Sequence, residues 1–258
     1  MITAASNQRV KNLVMLTQKA KARREQDVFI TEGIKMFLEA DPQQIKEVYV
    51  SQSFYEKNVA REKLEQCNYE ILSDEVFKKV SDTQTPQGIL CVMKQFHYTI
   101  EDLFRKKNPL FLILEDIQDP GNLGTMVRTA EGAGVDGIIM TKTTVDIYNP
   151  KTIRSTMGSI YRMPFLYTED LLGVMKELQQ RGITLSAAHL RGTSYYHQLD
   201  FKEGTAFLIG NEGNGLKEET AKAADVYMKI PMEGKVESLN AAVASVILMY
   251  EAARQRMV

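Results

Sequence analysis

The chain is poor in cysteine and histidine. Its 258 residues include two cysteines, Cys67 and Cys91, and three histidines, His97, His189 and His197. Two cysteines cannot build the disulfide framework of a small secreted protein, so buried free thiols in a reducing compartment are the better interpretation. The histidines lack metal-ligand spacing. We therefore expect no metal site.

Long apolar runs are also missing. No stretch approaches the roughly 18 apolar residues that a membrane span needs, and the N-terminal residues lack the apolar region of a signal peptide. The content of 44% apolar and 25% charged residues is typical of a soluble globular protein. We expect a cytoplasmic protein with no membrane partner, long enough for one large or two ordinary domains.

Acidic residues are absent from the first 24 positions, although the whole chain has a net charge of only −1. This segment has a formal charge of +6, which is typical of a surface that contacts a phosphate backbone. A solvated helix face is the alternative. The helix that contains Arg61 and Lys63 is a weaker candidate for the same contact. The basic residues of the segment, and our predicted RNA contacts, are Arg9, Lys11, Lys19, Lys21, Arg23 and Arg24.

Strand and helix patterns alternate along the chain in two blocks. The first, residues 1–96, predicts a compact α/β/α domain. Residues 97–108 are polar and charged, and we interpret them as a linker. In residues 109–258, five or more apolar strands separated by helices predict an α/β domain whose parallel sheet is covered on both faces.

The first candidate for chemistry is the segment 115–128, which follows the apolar run 110–114. It contains the turn sequence DPGNLG at residues 119–124, and Asn122 is expected to cap the following helix. Arg128 would offer a planar cation suited to phosphate. An ordinary strand-to-helix loop with a surface arginine is the alternative. The segment is neither a GxGxxG fingerprint nor a P-loop.

Two further loops share this pattern of a turn after an apolar run. The turn NEGNGL at 211–216 follows the apolar run 206–210 and is expected to expose Glu212. The loop 230–240 enters a helix that we expect to begin at Ser238, with Asn240 in its first turn. The alternative for the turn at 211–216 is a purely structural role. The alternative for the loop 230–240 is a helix cap without a part in chemistry.

Taken together, the three segments resemble the SpoU (TrmH) branch of the SPOUT RNA methyltransferases. They occur in that family's order and spacing, and residues 149–151 and 155–158 resemble its intermediate segment. The N-terminal block resembles the substrate-binding domain, related to ribosomal protein L30e, that often precedes the methyltransferase domain. This match rests on the turn at 29–33 and on the alternation of strands and helices. The matching positions are 119–124 with Arg128, 208–213, and 230–232 with 238–240.

The resemblance implies S-adenosylmethionine as methyl donor and a ribose 2′-hydroxyl of RNA as acceptor. It also implies a deep trefoil knot and a homodimer through the C-terminal domain. The implied cofactor-binding residues are Ile209, Gly210, Asn211, Ile230, Met232 and Leu239. The implied catalytic residues are Arg128, Asn122, Glu212, Asn240 and Ser238, with Glu212 expected to hold Arg128 or a substrate group.

The sequence does not specify which RNA is the substrate. An L30e-like domain favours 23S ribosomal RNA over transfer RNA, and the methylated nucleotide is not specified. Two rival interpretations are a Rossmann-type methyltransferase or dehydrogenase, and an RNA-binding module without catalysis. The first predicts a glycine-rich opening turn, which is missing. The second predicts the loss of Arg128, Glu212 or Asn240, and all three are present.

Overall fold

The computed structural model describes residues 1–257, which form two compact units. Unit 1 comprises Met1–Phe96 and Asp146–Tyr161, and unit 2 comprises His97–Val145 and residues 162–257. The sequence-based boundaries assigned everything after residue 108 to the second domain. The structure differs for residues 146–161, which belong to unit 1, and for the expected linker 97–108, which belongs to unit 2.

Eleven α-helices, four short 3-10 helices and eleven strands are described within residues 1–257. The helices are α1 (Gln8–Gln18), α2 (Ala20–Gln26), α3 (Ile34–Glu39), α4 (Gln52–Glu56), α5 (Arg61–Glu65), α6 (Asp74–Val80), α7 (Pro120–Gly132), α8 (Pro150–Thr156), α9 (Leu171–Gln180), α10 (Glu218–Lys222) and α11 (Ala241–Arg256). The strands are β1 (Val28–Glu32), β2 (Ile45–Ser51), β3 (Tyr69–Leu72), β4 (Ile89–Lys94), β5 (Leu110–Leu114), β6 (Gly137–Thr141), β7 (Phe165–Thr168), β8 (Thr184–Ala188), β9 (Ser194–Tyr195), β10 (Thr205–Ile209) and β11 (Val226–Lys229).

Unit 1 contains a four-stranded sheet in the order β1-β4-β2-β3. The β1–β4 and β2–β4 pairs are antiparallel and the β2–β3 pair is parallel. Helix α1 buries Val10, Leu13 and Leu16, which helical spacing places on one side, in a core with strand residues such as Ile30 and Tyr49. The predicted mixed α/β unit is present here.

Unit 2 contains a seven-stranded sheet in the order β7-β6-β5-β10-β8-β11-β9, and every pair in it is parallel. Strands β5 and β10 are buried along their whole length, as their continuous apolar sequences predict. The α/β class with a parallel sheet is therefore confirmed. The trefoil knot stays a prediction.

Two helices begin at residues other than those predicted. Helix α7 begins at Pro120, and the Asp119 carboxylate caps it by accepting from the Asn122 N–H at 2.8 Å. Proline is favoured in the first turn because its missing N–H is unneeded there. Helix α11 begins at Ala241 with Asn240, not Ser238, as its cap. Asn122 therefore lies inside the first turn of α7 rather than at its cap, and Asn240 is the cap of α11 rather than a residue of its first turn.

No helix within residues 1–257 has the length and apolar content to cross a membrane. In the same range, no three side chains of His, Cys, Asp or Glu group together as metal ligands would. Cys67 and Cys91 are free thiols. Burial raises the pKa of Cys91 to about 12, which keeps that thiol neutral and unreactive.

Candidate active site

The three segments singled out in the sequence follow strands β5, β10 and β11 of the parallel sheet in unit 2, where β5 and β10 are neighbours and β8 separates β10 from β11. Leu114 at the end of β5 is the register partner of Ile209 at the end of β10. The Glu115 N–H continues this pairing by donating to the Ile209 carbonyl at 2.9 Å. The turns after β5 and β10 therefore begin side by side, at the sheet edge where ligands bind in parallel α/β proteins.

A chain of side-chain hydrogen bonds joins all three segments. The Asn122 Nδ2 donates to Glu212 Oε1 at 3.0 Å, and the Asn240 Nδ2 donates to Asn122 Oδ1 at 3.1 Å. We call this arrangement the Glu212–Asn122–Asn240 chain. Glu212 lies 90 positions from Asn122 in the sequence, and Asn240 lies 118 positions from it. The fold therefore brings together three of the five predicted catalytic residues.

Asn240 has two tasks in this chain. Its Oδ1 accepts from the N–H groups of Ala242 at 2.9 Å and Val243 at 3.2 Å, which caps α11. Because Oδ1 is used by the backbone, the amide nitrogen faces Asn122. That donor in turn fixes the Asn122 amide with its oxygen toward Asn240 and its nitrogen toward Glu212.

Glu212 holds the turn that precedes α7. Its Oε1 accepts from the Asp119 N–H and its Oε2 from the Gln118 N–H, each at 3.1 Å, besides the bond from Asn122. Partial burial acts to raise the pKa of Glu212, but these hydrogen bonds outweigh it and hold the pKa below its ordinary value. Glu212 is therefore an ionised acceptor at neutral pH.

Arg128 lies on α7, is exposed, and has no hydrogen-bond or ion-pair partner among residues 1–257. The expected contact between Glu212 and Arg128 is absent from this structure. The reason is that the Glu212 oxygens already accept from three donors of the segment 118–122. Arg128 thus presents an uncommitted guanidinium, while Glu212 supports the loop ahead of its helix.

The side chain of Asn211 stabilises the glycine-rich turn after β10 through hydrogen bonds to the turn's own backbone. The Asn211 Oδ1 accepts from the N–H groups of Gly213 at 2.9 Å and Asn214 at 3.0 Å, and its Nδ2 donates to the Asp116 carbonyl at 2.8 Å. A Cβ on Gly210 would lie 2.1 Å from the Gly215 carbonyl carbon. Glycine at 210 is required because the turn folds back onto its own backbone.

A buried carboxylate anchors the far side of the same turn. Glu115 is 2% exposed and accepts from the Lys217 N–H at 2.8 Å and from the Thr220 hydroxyl at 2.6 Å. Next to it, Asp116 pairs with the Lys217 ammonium at 2.9 Å. Burial alone would raise the pKa of Asp116, but the bonds from Lys217 and from the Thr143 and Thr141 hydroxyls lower it. These contacts fasten the segment leaving the turn to the end of β5.

A cavity of about 380 Å³ opens at this edge, a size typical of a site for a small molecule. All six predicted cofactor-binding residues line it, and so do Glu212 and Ser238. Arg128, Asn122 and Asn240 are not among its lining residues. The six are Ile209, Gly210, Asn211, Ile230, Met232 and Leu239.

The sequence analysis missed one wall of the cavity. The segment 188–191, which comprises the last residue of β8 and the start of the loop after it, lines the cavity together with Met228 and Lys229 at the end of β11. Strand β8 lies between β10 and β11, so its carboxyl end must reach the same edge. The apolar strand at 184–188 could have indicated this wall, because a parallel strand beside β10 brings its following loop to the site.

The predicted RNA-contact residues of unit 1 do not share one environment. Arg23 is 2% exposed; its guanidinium pairs with Asp146 at 2.6 Å and donates to the Leu16 carbonyl at 2.7 Å. Arg23 is therefore a structural residue, and the prediction that it contacts RNA phosphates is wrong. The other five are exposed: Arg9, Lys11, Lys19, Lys21 and Arg24.

Together, the parallel sheet, the three joined turns and the cavity define an α/β enzyme of the SPOUT methyltransferase class. Residues 109–250 match the model of the SpoU rRNA methylase family, and residues 7–91 match the MRM3-like substrate binding domain. The chain belongs to the SpoU rRNA methylase family. The resemblance drawn from the motifs is thereby confirmed.

Individual relatives match over nearly the whole chain. The 23S rRNA (guanosine(2553)-2′-O)-methyltransferase RlmP of Bacillus subtilis is 34% identical, with 96% of this chain and 97% of the relative covered. The AdoMet-bound rRNA methyltransferase from Sinorhizobium meliloti is 31% identical, covers 100% and 98% of the two chains, and has a TM-score of 0.86. The AdoMet complex of AviRb from Streptomyces viridochromogenes is 25% identical, covers 97% and 98%, and has a TM-score of 0.89.

Proposed function

We propose that this protein transfers a methyl group from S-adenosylmethionine to a ribose 2′-hydroxyl of 23S ribosomal RNA. The observation that carries the proposal is the Glu212–Asn122–Asn240 chain, which ties together three turns beside the 380 Å³ cavity. The reaction named for RlmP and the cofactor named for the two solved relatives support the same assignment.

The residues of the cavity fit this cofactor. Apolar side chains of Ile209, Ile230 and Leu239 suit a purine ring, and the exposed carboxylate of Glu237 suits a cation. S-adenosylmethionine would supply a methyl group on a positively charged sulfur. The sulfur is the leaving group, and it needs no proton. The protein is therefore left to deal with the acceptor, a weakly acidic hydroxyl.

Positioning of that acceptor is the main contribution that we assign to the Glu212–Asn122–Asn240 chain. Correct orientation of two reactants is worth roughly 7–11 kcal/mol. Asn122 and Asn240 each hold one amide in a fixed direction, so the turn before α7 is set before RNA arrives. Ser238, exposed on the cavity wall, would complete the surface near the methyl group.

Arg128 is the catalytic residue in this proposal. A guanidinium stays charged in proteins and is a poor base, so we assign Arg128 to clamp the neighbouring phosphate and the oxyanion that develops on the ribose. Its exposure and its lack of a partner within residues 1–257 support that role. The proton would pass to phosphate or water.

Unit 1 would capture the RNA. The family match over residues 7–91 and the five exposed basic residues of α1, α2 and their junction support this role. Phosphate contacts of this kind position RNA without reading its sequence. We further propose a cytoplasmic homodimer that joins through α11, whose Val243 and Tyr250 are exposed apolar residues.

The test is methyl transfer by the purified protein. With labelled S-adenosylmethionine and unmodified 23S rRNA transcribed in vitro, we expect one ribose-methylated nucleotide, located by nuclease digestion and mass spectrometry. Unmodified transfer RNA serves as the competing substrate, and preferred labelling of it would select the alternative. If calorimetry shows no binding of S-adenosylmethionine, the protein is a non-catalytic RNA-binding module. Mapping ribose methylation in cells without the protein identifies the natural site.

A further inference from the structure

Four side chains at the β9–β11 edge of the sheet in unit 2 combine positive charge with aromatic rings. They are Arg191, Tyr195, His197 and Lys229. Arg191 and Lys229 also line the 380 Å³ cavity. We call these four residues the basic aromatic strip. The family resemblance gives none of them a role, and the proposed mechanism does not use them.

The strip is built on two paired strand ends. Lys229 of β11 and Tyr195 of β9 are register partners, so their side chains leave neighbouring strands at the same level. The Lys229 ammonium lies 5.2 Å from the centre of the Tyr195 ring, and the His197 ring stacks on that tyrosine with 5.7 Å between centres and 7° between planes. Charge and rings therefore form one continuous surface.

The loop carrying Arg191 is fixed against the same strand. The His189 N–H donates to the Met228 carbonyl at 2.9 Å, and the Arg191 N–H donates to His189 Nδ1 at 3.1 Å. A Cβ on Gly192 would lie 2.6 Å from the Met228 carbonyl carbon, so only glycine allows this approach. The Arg191 side chain is exposed at the cavity wall, and its guanidinium has no hydrogen-bond or ion-pair partner within residues 1–257.

The turn after Tyr195 is fixed as well. The Tyr195 N–H donates to Gln198 Oε1 at 2.9 Å, and the Leu199 carbonyl accepts from Gln255 Nε2 at 2.9 Å. Within residues 1–257, Tyr195 and Tyr250 are the two most exposed tyrosines. Tyr195 is 37% exposed although it belongs to a sheet. An exposed ring that the backbone holds in place is prepared for a ligand rather than for the core.

We propose that the basic aromatic strip binds unpaired nucleotides of the substrate RNA that flank the methylated ribose. Single-stranded RNA is held by aromatic rings on which bases stack and by cations that follow the phosphates, and this strip offers both. Since Arg191 and Lys229 also line the cavity, the bound segment runs from the methyl donor onto Tyr195 and His197. The inference rests on the proposed function, because it names where that function's RNA lies.

The test compares Tyr195→Ala, Tyr195→Phe and Lys229→Ala with the parent protein at full length. Methyl transfer to unmodified 23S rRNA is measured at saturating S-adenosylmethionine, and cofactor affinity is measured by calorimetry. Loss of one stacking ring weakens RNA binding by roughly 5- to 150-fold, so Tyr195→Ala should lower kcat/KM for RNA within that range. Tyr195→Phe keeps the ring and should stay within about threefold of the parent protein.

A matched control is Lys176→Ala, which removes an exposed lysine of α9 in the same unit. It should leave kcat/KM for RNA unchanged, whereas Lys229→Ala lowers it. Unchanged RNA kinetics in both Tyr195→Ala and Lys229→Ala would overturn the inference while the proposed function stands. A weaker affinity for S-adenosylmethionine in these variants would also overturn it, because the strip would then serve the cofactor.

Binding of a labelled 20-nucleotide single-stranded RNA separates the inference from the proposed function. If the parent protein methylates no RNA, the proposed function fails, and fluorescence anisotropy with this probe still judges the strip. A loss of affinity of fivefold or more in Tyr195→Ala, with duplex RNA of equal length binding as before, supports the strip. Equal affinity of parent and variant for the single strand rejects it.

Discussion

The Asn240 side chain both caps α11 and donates to Asn122 Oδ1 at 3.1 Å. The two tasks belong to different atoms, since Oδ1 serves the helix and Nδ2 serves Asn122. Stability and catalysis can therefore be separated at this one residue. The cap holds the start of the closing helix, whereas the amide nitrogen sets the direction in which the Asn122 amide points.

Asn240→Asp keeps the cap and removes the donor. A carboxylate at an N-cap is as good as an amide, so the free energy of unfolding should change by less than about 0.5 kcal/mol. The lost bond to Asn122 should lower kcat roughly three- to tenfold. Asn240→Ala should lose both functions, with about 1 kcal/mol less stability. Equal kcat in Asn240→Asp and the parent protein would show that the bond to Asn122 has no catalytic role.

Arg128→Ala should abolish methylation and leave the cofactor bound. Removing a group that stabilises developing charge costs about 10²–10³ in kcat. The affinity for S-adenosylmethionine should stay within about twofold, because Arg128 does not line the cavity. Thermal unfolding should not change, since the side chain is exposed and unpartnered within residues 1–257. Arg128→Lys keeps the charge without the planar fork and should recover only part of kcat. Near-parental turnover in Arg128→Ala would remove it from the mechanism.

The basic residues of unit 1 should divide into two groups. Lys19→Ala and Lys21→Ala remove exposed charges, and each should reduce the slope of log affinity against log salt by roughly 0.7–0.9 without affecting folding. Arg23→Ala removes a buried guanidinium from its ion pair with Asp146, which is 20% exposed, and should cost about 3 kcal/mol of stability, the lower end for a buried pair. Salt titration of RNA binding and chemical unfolding measure the two effects. An unchanged salt slope in both lysine variants would exclude this surface from RNA binding.

The contrast at Arg23 shows what a sequence pattern leaves out. A run of basic residues predicts an exposed surface, and five of the six positions agree with this. Arg23 is buried because Asp146, which is 123 positions away, comes to lie beside it. No local signal identifies that partner. Deleting residues 1–24 would not test RNA binding, because the deletion would also remove the core residues Val10, Leu13 and Leu16 of α1 and so disturb folding.

Most strands and the three turns were predictable because they depend on local sequence, whereas the short strands β7 and β9 were not predicted. Continuous apolar runs indicated β5 and β10, and the turns after them carry distinctive residues. The helix starts were less certain, because Asp119 and Asn122 are both good caps and only the presence of Pro120 after Asp119 favours the first. The partners of Glu212 depend on how the turns meet in three dimensions, and sequence does not specify that.

The stability of the closing helix should depend on pH through Glu251. Its side chain is 10% exposed, and hydrogen bonds from Arg254 and Gln255 lower its pKa from the ordinary 4.5 to about 2. A carboxyl whose pKa is lower in the folded state stabilises the protein above about pH 4.5. That contribution is lost as pH falls through about 2. Because Arg254 is exposed, we expect roughly 1 kcal/mol.

Glu251→Gln tests this linkage. Its deficit in unfolding free energy should be constant between about pH 5 and pH 7 and should shrink below about pH 4.5. Glu218→Gln is the matched control, because Glu218 forms a comparable ion pair with Lys222 but is 80% exposed. That variant should unfold like the parent protein throughout. A deficit for Glu251→Gln that does not change with pH would assign the effect to packing rather than to charge.

Dimer formation through α11 is the last prediction. Val243 and Tyr250 are 48% and 49% exposed, and seven residues apart they lie on the same face of the helix. Large apolar side chains exposed in this way indicate a contact surface, and a carboxylate placed there would be desolvated on association. Val243→Glu should therefore shift the protein from dimer to monomer in light scattering. Leu172→Glu on α9, which is 39% exposed, should leave the assembly unchanged. Dimers that persist in Val243→Glu and Tyr250→Glu would place the interface elsewhere.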